Sequence, residues 1–372
     1  MNASENSHMI REDVTEMLTS LPNASHLATT MPIYQEDGEY DYPITLNNCM
    51  TYFRMVSYIV TFLLGISGNG LVIWVGIFQM TKTVNVIWFI NLAIADFIFD
   101  VFLPFQIVPL AMEAQWPFGS ILCKLSHMVL NLNMSASIFF LAVISMDRCV
   151  SVWKPVWSMN NRAPWLAYRV ALAIWILAVI SSSPYPAFYD TVTGWHNDTY
   201  CSLSYGIQSF DFSQEDFDRM TIRHNVIVIT RFVSMFLVPF AIIITCYGAI
   251  ALKIRNRKHQ RTSSRPFKII IAILVLFFIC WFPFNALPLL TFYYAWPIGF
   301  QLVSYSLAIS LAFFNSCLNP ILYVFMGRDF KVTIRRSVLS VFEKAFNEEP
   351  TGAMLVTPTP PPLSREVESH LL

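Results

Sequence analysis

Two charged residues sit where the sequence gives them few polar neighbours. Asp96 closes the string Leu92-Ala93-Ile94-Ala95-Asp96, and Arg231 interrupts Val226-Ile227-Val228-Ile229-Thr230 and Phe232-Val233. A charge among hydrocarbon costs about 3 kcal/mol or more unless something partners it, so each is a functional question. Asn69, Asn133, Ser137, Asn315, Ser316 and Asn319 fall at a depth similar to Asp96 in other apolar runs. A carboxylate with neutral oxygens around it suits a hard cation such as Na+. The same groups serve equally as hydrogen bonds between helices. Arg231 offers a planar fork that matches a ligand carboxylate; its alternatives are a structural ion pair or a side chain reaching back to the interface. Asp100, one turn from Asp96, faces either a ligand cation or the Asp96 cluster. No Cys/His group has metal-ligand spacing, and no phosphate-cradling loop or nucleophile elbow appears. The chain reads as a non-enzyme with no cofactor beyond that cation.

These residues need elements to hold them, and composition says which. Of 372 residues, 55% are hydrophobic and 13% charged, with 31 Phe. A soluble domain carries roughly 25% charged residues, so this chain is solvated mostly by lipid. The balanced charge argues against nucleic acid as a partner, and seven Cys argue against a disulfide-packed module. Seven continuous apolar runs lie at 53–79, 85–111, 120–152, 165–187, 222–252, 266–295 and 299–325. Each is long enough for a membrane-spanning helix and lacks the alternation of a barrel strand. The expected fold is an all-α membrane protein, a seven-helix bundle over 53–325. An N-terminal tail over 1–52, an amphipathic surface helix over 326–343 and a tail over 344–372 complete it. Pro184, Pro239, Pro283 and Pro320 interrupt the runs, which points to bent, movable helices. The two halves show no sequence repeat, which weakens a transporter reading.

Basic residues orient the bundle. Eighteen Lys and Arg fall on one side, among them Lys82, Arg148, Lys154, Arg162 and the cluster from Lys253 to Lys268, against five on the other. The N-terminus is therefore outside and the C-terminus inside, and with no signal peptide in residues 1–50 the first helix directs insertion. The glycosylation sequons at Asn2, Asn23 and Asn197 fall outside. The sequon at Asn133 lies mid-membrane and is a chance match. Cys123 and Cys201 both lie on the oxidising side, where a disulfide between them is expected. Cys49 has no obvious partner. Fifteen acids lie outside, eight of them in the N-terminal tail. The exterior is thus acidic, a field that steers a basic extracellular ligand.

The ordered set of motifs resembles the rhodopsin-like G-protein-coupled receptors. Gly68-Asn69, Leu92-Ala93-Ile94-Ala95-Asp96, Asp147-Arg148-Cys149, Trp175, Pro239 with Tyr247, Cys280-Trp281-Phe282-Pro283 and Asn319-Pro320-Ile321-Leu322-Tyr323 carry the likeness over about residues 50–335. Within that class the chain looks like the chemoattractant receptors: chemerin-type, formyl-peptide and complement-anaphylatoxin. Lys82-Thr83-Val84-Asn85, Trp116-Pro117-Phe118-Gly119, Pro155-Val156-Trp157 and Phe325-Met326-Gly327-Arg328-Asp329-Phe330 carry this closer likeness, nearest to the chemerin branch. Amine receptors carry an Asp at the position of Leu130, and opsins a Lys at that of Phe313. Chemokine receptors pair an N-terminal Cys with one in the third outer loop, and residues 292–300 hold none.

The resemblance implies a plasma-membrane receptor that captures an extracellular peptide or small protein and activates inhibitory G proteins, with arrestin as a further cytoplasmic partner. It implies a ligand pocket that includes Arg231, Asn131, Asp100, Trp281 and Phe284. Formyl-peptide receptors have an Asp near Asn131 that is absent here, which disfavours a formyl peptide. It implies switch and coupling roles for Asp147, Arg148, Tyr247, Trp281, Asn319, Pro320 and Tyr323, and a Na+ site at Asp96, Asn133, Ser137, Asn315 and Asn319. The acidic tail Tyr34-Gln35-Glu36-Asp37-Gly38-Glu39-Tyr40-Asp41-Tyr42 is the expected sulfated capture segment, with Tyr34, Tyr40 and Tyr42 the acceptors. The alternatives are an acidic lipid mediator as ligand, and a scavenger of the same fold. The acidic tail speaks against the first, and the intact Asp147-Arg148 and Asn319-Pro320 pairs against the second.

Overall fold

A computed structural model describes residues 41–194, 198–203, 214–256, 265–293 and 296–326. Seven long helices run through them. We label these α1 (Asp41–Phe78), α2 (Val84–Phe102), α3 (Gly119–Trp153), α4 (Pro164–Ser182), α5 (Gln214–Phe232 and Val238–Asn256), α6 (Arg265–Tyr293) and α7 (Ile298–Met326). In lipid each backbone N–H and C=O must be satisfied within its own segment, so an unbroken apolar run becomes a helix. Six of these helices are long and apolar enough to cross a membrane, and α6 contributes the shorter apolar stretch Val275–Thr291. Leu63, Leu172 and Ile222 are each about 60% exposed, apolar groups that face lipid rather than water.

Punctuation is written locally. The Thr83 hydroxyl accepts from the Val86 amide at 3.4 Å and caps α2. Pro104, Pro155 and Pro164 each stand at the start of a helix, where a missing N–H costs nothing. The run 85–111 thus divides into α2 and a short helix, Pro104–Ala111. Pro184 stands at the start of another short helix, Tyr185–Phe188, after α4 has ended. The two parts of α5 are joined by a π turn, Val233–Leu237. Pro239 explains the turn: its ring displaces the carbonyl four residues earlier, and the wider turn accommodates it.

The bundle is centred on α3, which packs against α2, α4 and α5, while α1 packs on α2 and α7. Between α4 and α5, β1 (Tyr189–Thr193) and β2 (Thr199–Leu203) form an antiparallel hairpin with Thr191 opposite Cys201. A disulfide from Cys123 to Cys201, Cα atoms 5.6 Å apart, fastens it to the start of α3. Lys124 pairs with Asp190 at 2.9 Å, and Ser120 donates a short hydrogen bond to the same carboxylate. The Trp116 amide donates to the Thr199 carbonyl at 2.6 Å.

Candidate functional site

Polar residues mark three levels of this apolar bundle. At the outer level α5 brings Arg231 to α6, its guanidinium carbon 5.0 Å from the centre of the Phe284 ring. Arg231 Nε is buried without a hydrogen-bond partner, and no described carboxylate pairs with this residue. Tyr185 and His224 lie near enough to sense its charge. Phe284 meets the edge of Trp281 at 5.9 Å, and Trp281 is 1% exposed with its indole N–H unpartnered. Asn285 donates to the Trp281 carbonyl at 2.9 Å. Asn131 is buried on α3 and spends its amide N–H on the His127 carbonyl at 2.8 Å. The His127 ring stacks on Tyr189 of the hairpin at 3.6 Å. Arg231, Trp281 and Phe284 therefore form one aromatic-cationic group. Sequence reading missed Tyr185 and Asn285 beside it, because neither belongs to a spaced motif.

At the middle level Asp96 accepts from Asn133 Nδ2 at 2.8 Å and from Asn319 Nδ2 at 2.6 Å. Asn133 is thus committed to the core, as the chance reading of its sequon requires. Ser137 also faces Asp96, though its hydroxyl forms no geometric hydrogen bond, and Asn315 Nδ2 is buried and unpartnered. Asp100, which the sequence leaves open between a ligand cation and the Asp96 cluster, is fully buried and accepts from Asn69 Nδ2 at 3.0 Å and Ser316 Oγ at 2.7 Å. The notch that admits it is Gly65, where an added Cβ would land on the Asp100 carboxylate. Asp100 therefore belongs to the polar cluster of α1, α2 and α7, held there by donors of those helices.

Near the C-terminal end of α3, Asp147 does not pair with its neighbour Arg148. Arg162 takes its carboxylate side-on, Nε to Oδ1 at 2.8 Å and Nη2 to Oδ2 at 2.9 Å. Arg148 instead donates a short hydrogen bond to Asn85 Oδ1, which also accepts from Arg162 Nη2 at 2.5 Å. Tyr247 lies close to Arg148. Neither Arg162 nor Asn85 was singled out as a site residue by sequence spacing. Asn319 and Pro320 are buried in α7. Tyr323 is also in α7, and its side chain lies outside the described residues, as does that of Tyr42. Asn2, Asn23, Asn197, Tyr34, Tyr40 and the amphipathic segment after Met326 lie outside the described residues altogether.

Seven apolar helices, an outer hairpin pinned by a disulfide, and polar groups stacked from the outer pocket to the Arg148 level define a membrane receptor of the seven-helix class. Residues 68–323 match the model of the family described as 7 transmembrane receptor (rhodopsin family). The chain is 40% identical over 327 residues to N-formyl peptide receptor 3 of Homo sapiens, covering 85% of this chain and 92% of the relative. It is 40% identical over 344 residues to Formyl peptide receptor 2 of Mus musculus, covering 88% and 95%. It is 43% identical over 321 residues to N-formyl peptide receptor 2 of Gorilla gorilla gorilla, covering 83% and 91%. The chain belongs to the rhodopsin family of G-protein-coupled receptors, within its chemoattractant branch.

Proposed function

We propose that this receptor responds to a basic chemoattractant peptide or small protein of the chemerin type, and that it signals mainly through inhibitory G proteins at the plasma membrane, N-terminus outside. The observation that carries the ligand reading is Arg231, a guanidinium held against Phe284 with its Nε unpartnered. A ligand's terminal carboxylate supplies the missing acceptors, and the Phe284 and Trp281 rings receive an apolar residue beside it. The acidic tail and outer loops attract the body of the ligand. The described relatives are formyl peptide receptors by name, so a formyl peptide is the natural competitor. The neutral Asn131, bonded back to its own helix, removes one charge such a ligand would use.

The Asp96 cluster is read here as a Na+ site that stabilises the resting state. Ser137, which faces Asp96 with its buried hydroxyl unpartnered, supports the reading; the two amides already on Asp96 support the alternative, a purely structural cluster. Arrestin is proposed as a cytoplasmic partner on family grounds. The test is G-protein activation in cells challenged with chemerin-like, anaphylatoxin and formyl peptides and with acidic lipids. A response to a peptide ending in a free carboxylate, abolished when that end is amidated, supports the proposal. A response to lipids alone replaces it, and peptide binding without activation of any G protein makes the protein a scavenger.

A further inference from the structure

The second cytoplasmic loop is fastened to the end of α3 in a way that changes the partner of Asp147. The loop helix Pro155–Asn161 begins at Lys154, and Ser158 on it meets Ser151 of α3, Oγ to Oγ, at 3.1 Å. Ser151 itself donates to the Asp147 carbonyl at 2.8 Å, and the Arg162 amide donates to the Ser158 carbonyl at 3.0 Å. These bonds set Arg162 beside Asp147 although 15 residues separate them. The pair is half-sheltered, with side-chain exposures of 27% and 13%. A two-point guanidinium–carboxylate contact in such a place is stronger than a surface pair.

The charges in this cluster do not balance. One carboxylate, Asp147, faces two guanidinia, Arg162 and Arg148, and both Asp147 and Arg162 act electrostatically on Arg148. Arg162 holds both carboxylate oxygens, which leaves Arg148, among the described residues, with one neutral acceptor, Asn85 Oδ1, and with its Nε buried and unpartnered. Remove Arg162 and the carboxylate loses its two-point partner; the next guanidinium in reach is Arg148, one residue along the same helix turn. A half-buried Arg148–Asp147 pair would then have to break before Arg148 could meet a G protein, a cost that the observed arrangement avoids.

We infer that Arg162 is a positioning residue for G-protein coupling: by occupying Asp147 it keeps Arg148 free of the carboxylate next to it. The inference rests on the reading of this chain as a signalling receptor. Its test uses full-length receptor in lipid vesicles with purified heterotrimeric inhibitory G protein, reading ligand-free nucleotide exchange. Arg162→Gln lowers the exchange rate about fivefold, the low end of a typical coupling between sites. Adding Asp147→Asn to the same chain restores most of it, because an amide at that position carries no charge to pair with Arg148. Arg162→Lys falls between, since a point charge replaces the fork. Receptor yield and thermal unfolding of each variant separate loss of coupling from loss of fold. An unchanged or raised rate in Arg162→Gln overturns the inference, and so does a loss that Asp147→Asn leaves in place, which would mark Arg162 as a structural clamp only. Wild-type vesicles no better than empty ones, both without ligand and with every peptide of the panel, would instead sink the signalling reading, and this inference with it.

Discussion

The Arg231 guanidinium lies 5.0 Å from the centre of the Phe284 ring, packed on an aromatic face with no described acid as partner. A cation in that position is held by the ring's quadrupole and still has donors to offer. The aromatic contact fixes the fork without consuming it. This is the geometry from which the ligand-carboxylate proposal follows.

Arg231→Ala therefore raises the concentration of peptide needed for half-maximal activation by about 30-fold, the loss expected when one partner of a buried charge pair is truncated. Arg231→Lys recovers only part, because an ammonium lacks the two-point geometry. A peptide amidated at its C-terminus should be insensitive to both substitutions. Equal sensitivity of the acid and amide forms would show that Arg231 serves the fold, not the ligand.

Gly65→Ala should weaken the fold. The new methyl meets the Asp100 carboxylate, which is bound from both sides by Asn69 and Ser316 and has no room to retreat. Overpacking of this kind costs roughly 1–3 kcal/mol. Thermal unfolding of receptor in detergent measures it. Asp100→Ala in the same chain should cost less on the Gly65→Ala background than on the wild type. Strict additivity of the two changes would refute the contact.

Cys201→Ser frees the hairpin from α3 across a sequence separation of 78 residues. Loss of a native crosslink costs about 2–5 kcal/mol. The hairpin keeps Trp116–Thr199 and Lys124–Asp190, contacts too weak to replace it. Surface expression and peptide potency should both fall, and hydrogen exchange in Tyr189–Leu203 should rise. Unaltered exchange there would contradict this account.

Acid should loosen the same attachment. The Ser120 hydroxyl, and then Lys124, hold the Asp190 carboxyl down at about 2, below the ordinary carboxylate value of 3.8. A group whose folded value is depressed stabilises the fold above its unfolded value and loses that contribution as pH falls through the folded one. The hairpin-to-α3 tie should therefore hold at pH 5 and above and weaken between about pH 4 and pH 2. Asp190→Asn should remove the pH dependence of exchange at Thr191 in that window. A window unchanged in the variant would assign the effect to another group.

The sequence by itself determined the seven helices and the two charges that needed an explanation. The reason is that hydrocarbon imposes its rules locally: about twenty apolar residues in a row must form a helix, and Asp96 and Arg231 stand out because nothing near them in sequence is polar. The motifs of α3, α6 and α7 were legible for the same reason, as short strings within such runs. Tertiary structure decided which polar groups met. Asp100 had two open placements, and only the approach of α1 at Gly65 and of α7 at Ser316 assigned it to the core cluster. Arg148 is the sequence neighbour of Asp147, yet a loop residue 15 positions from Asp147 takes the carboxylate. Partner choice depends on distances between helices, and apolar periodicity carries no information about which neighbour a polar side chain will find.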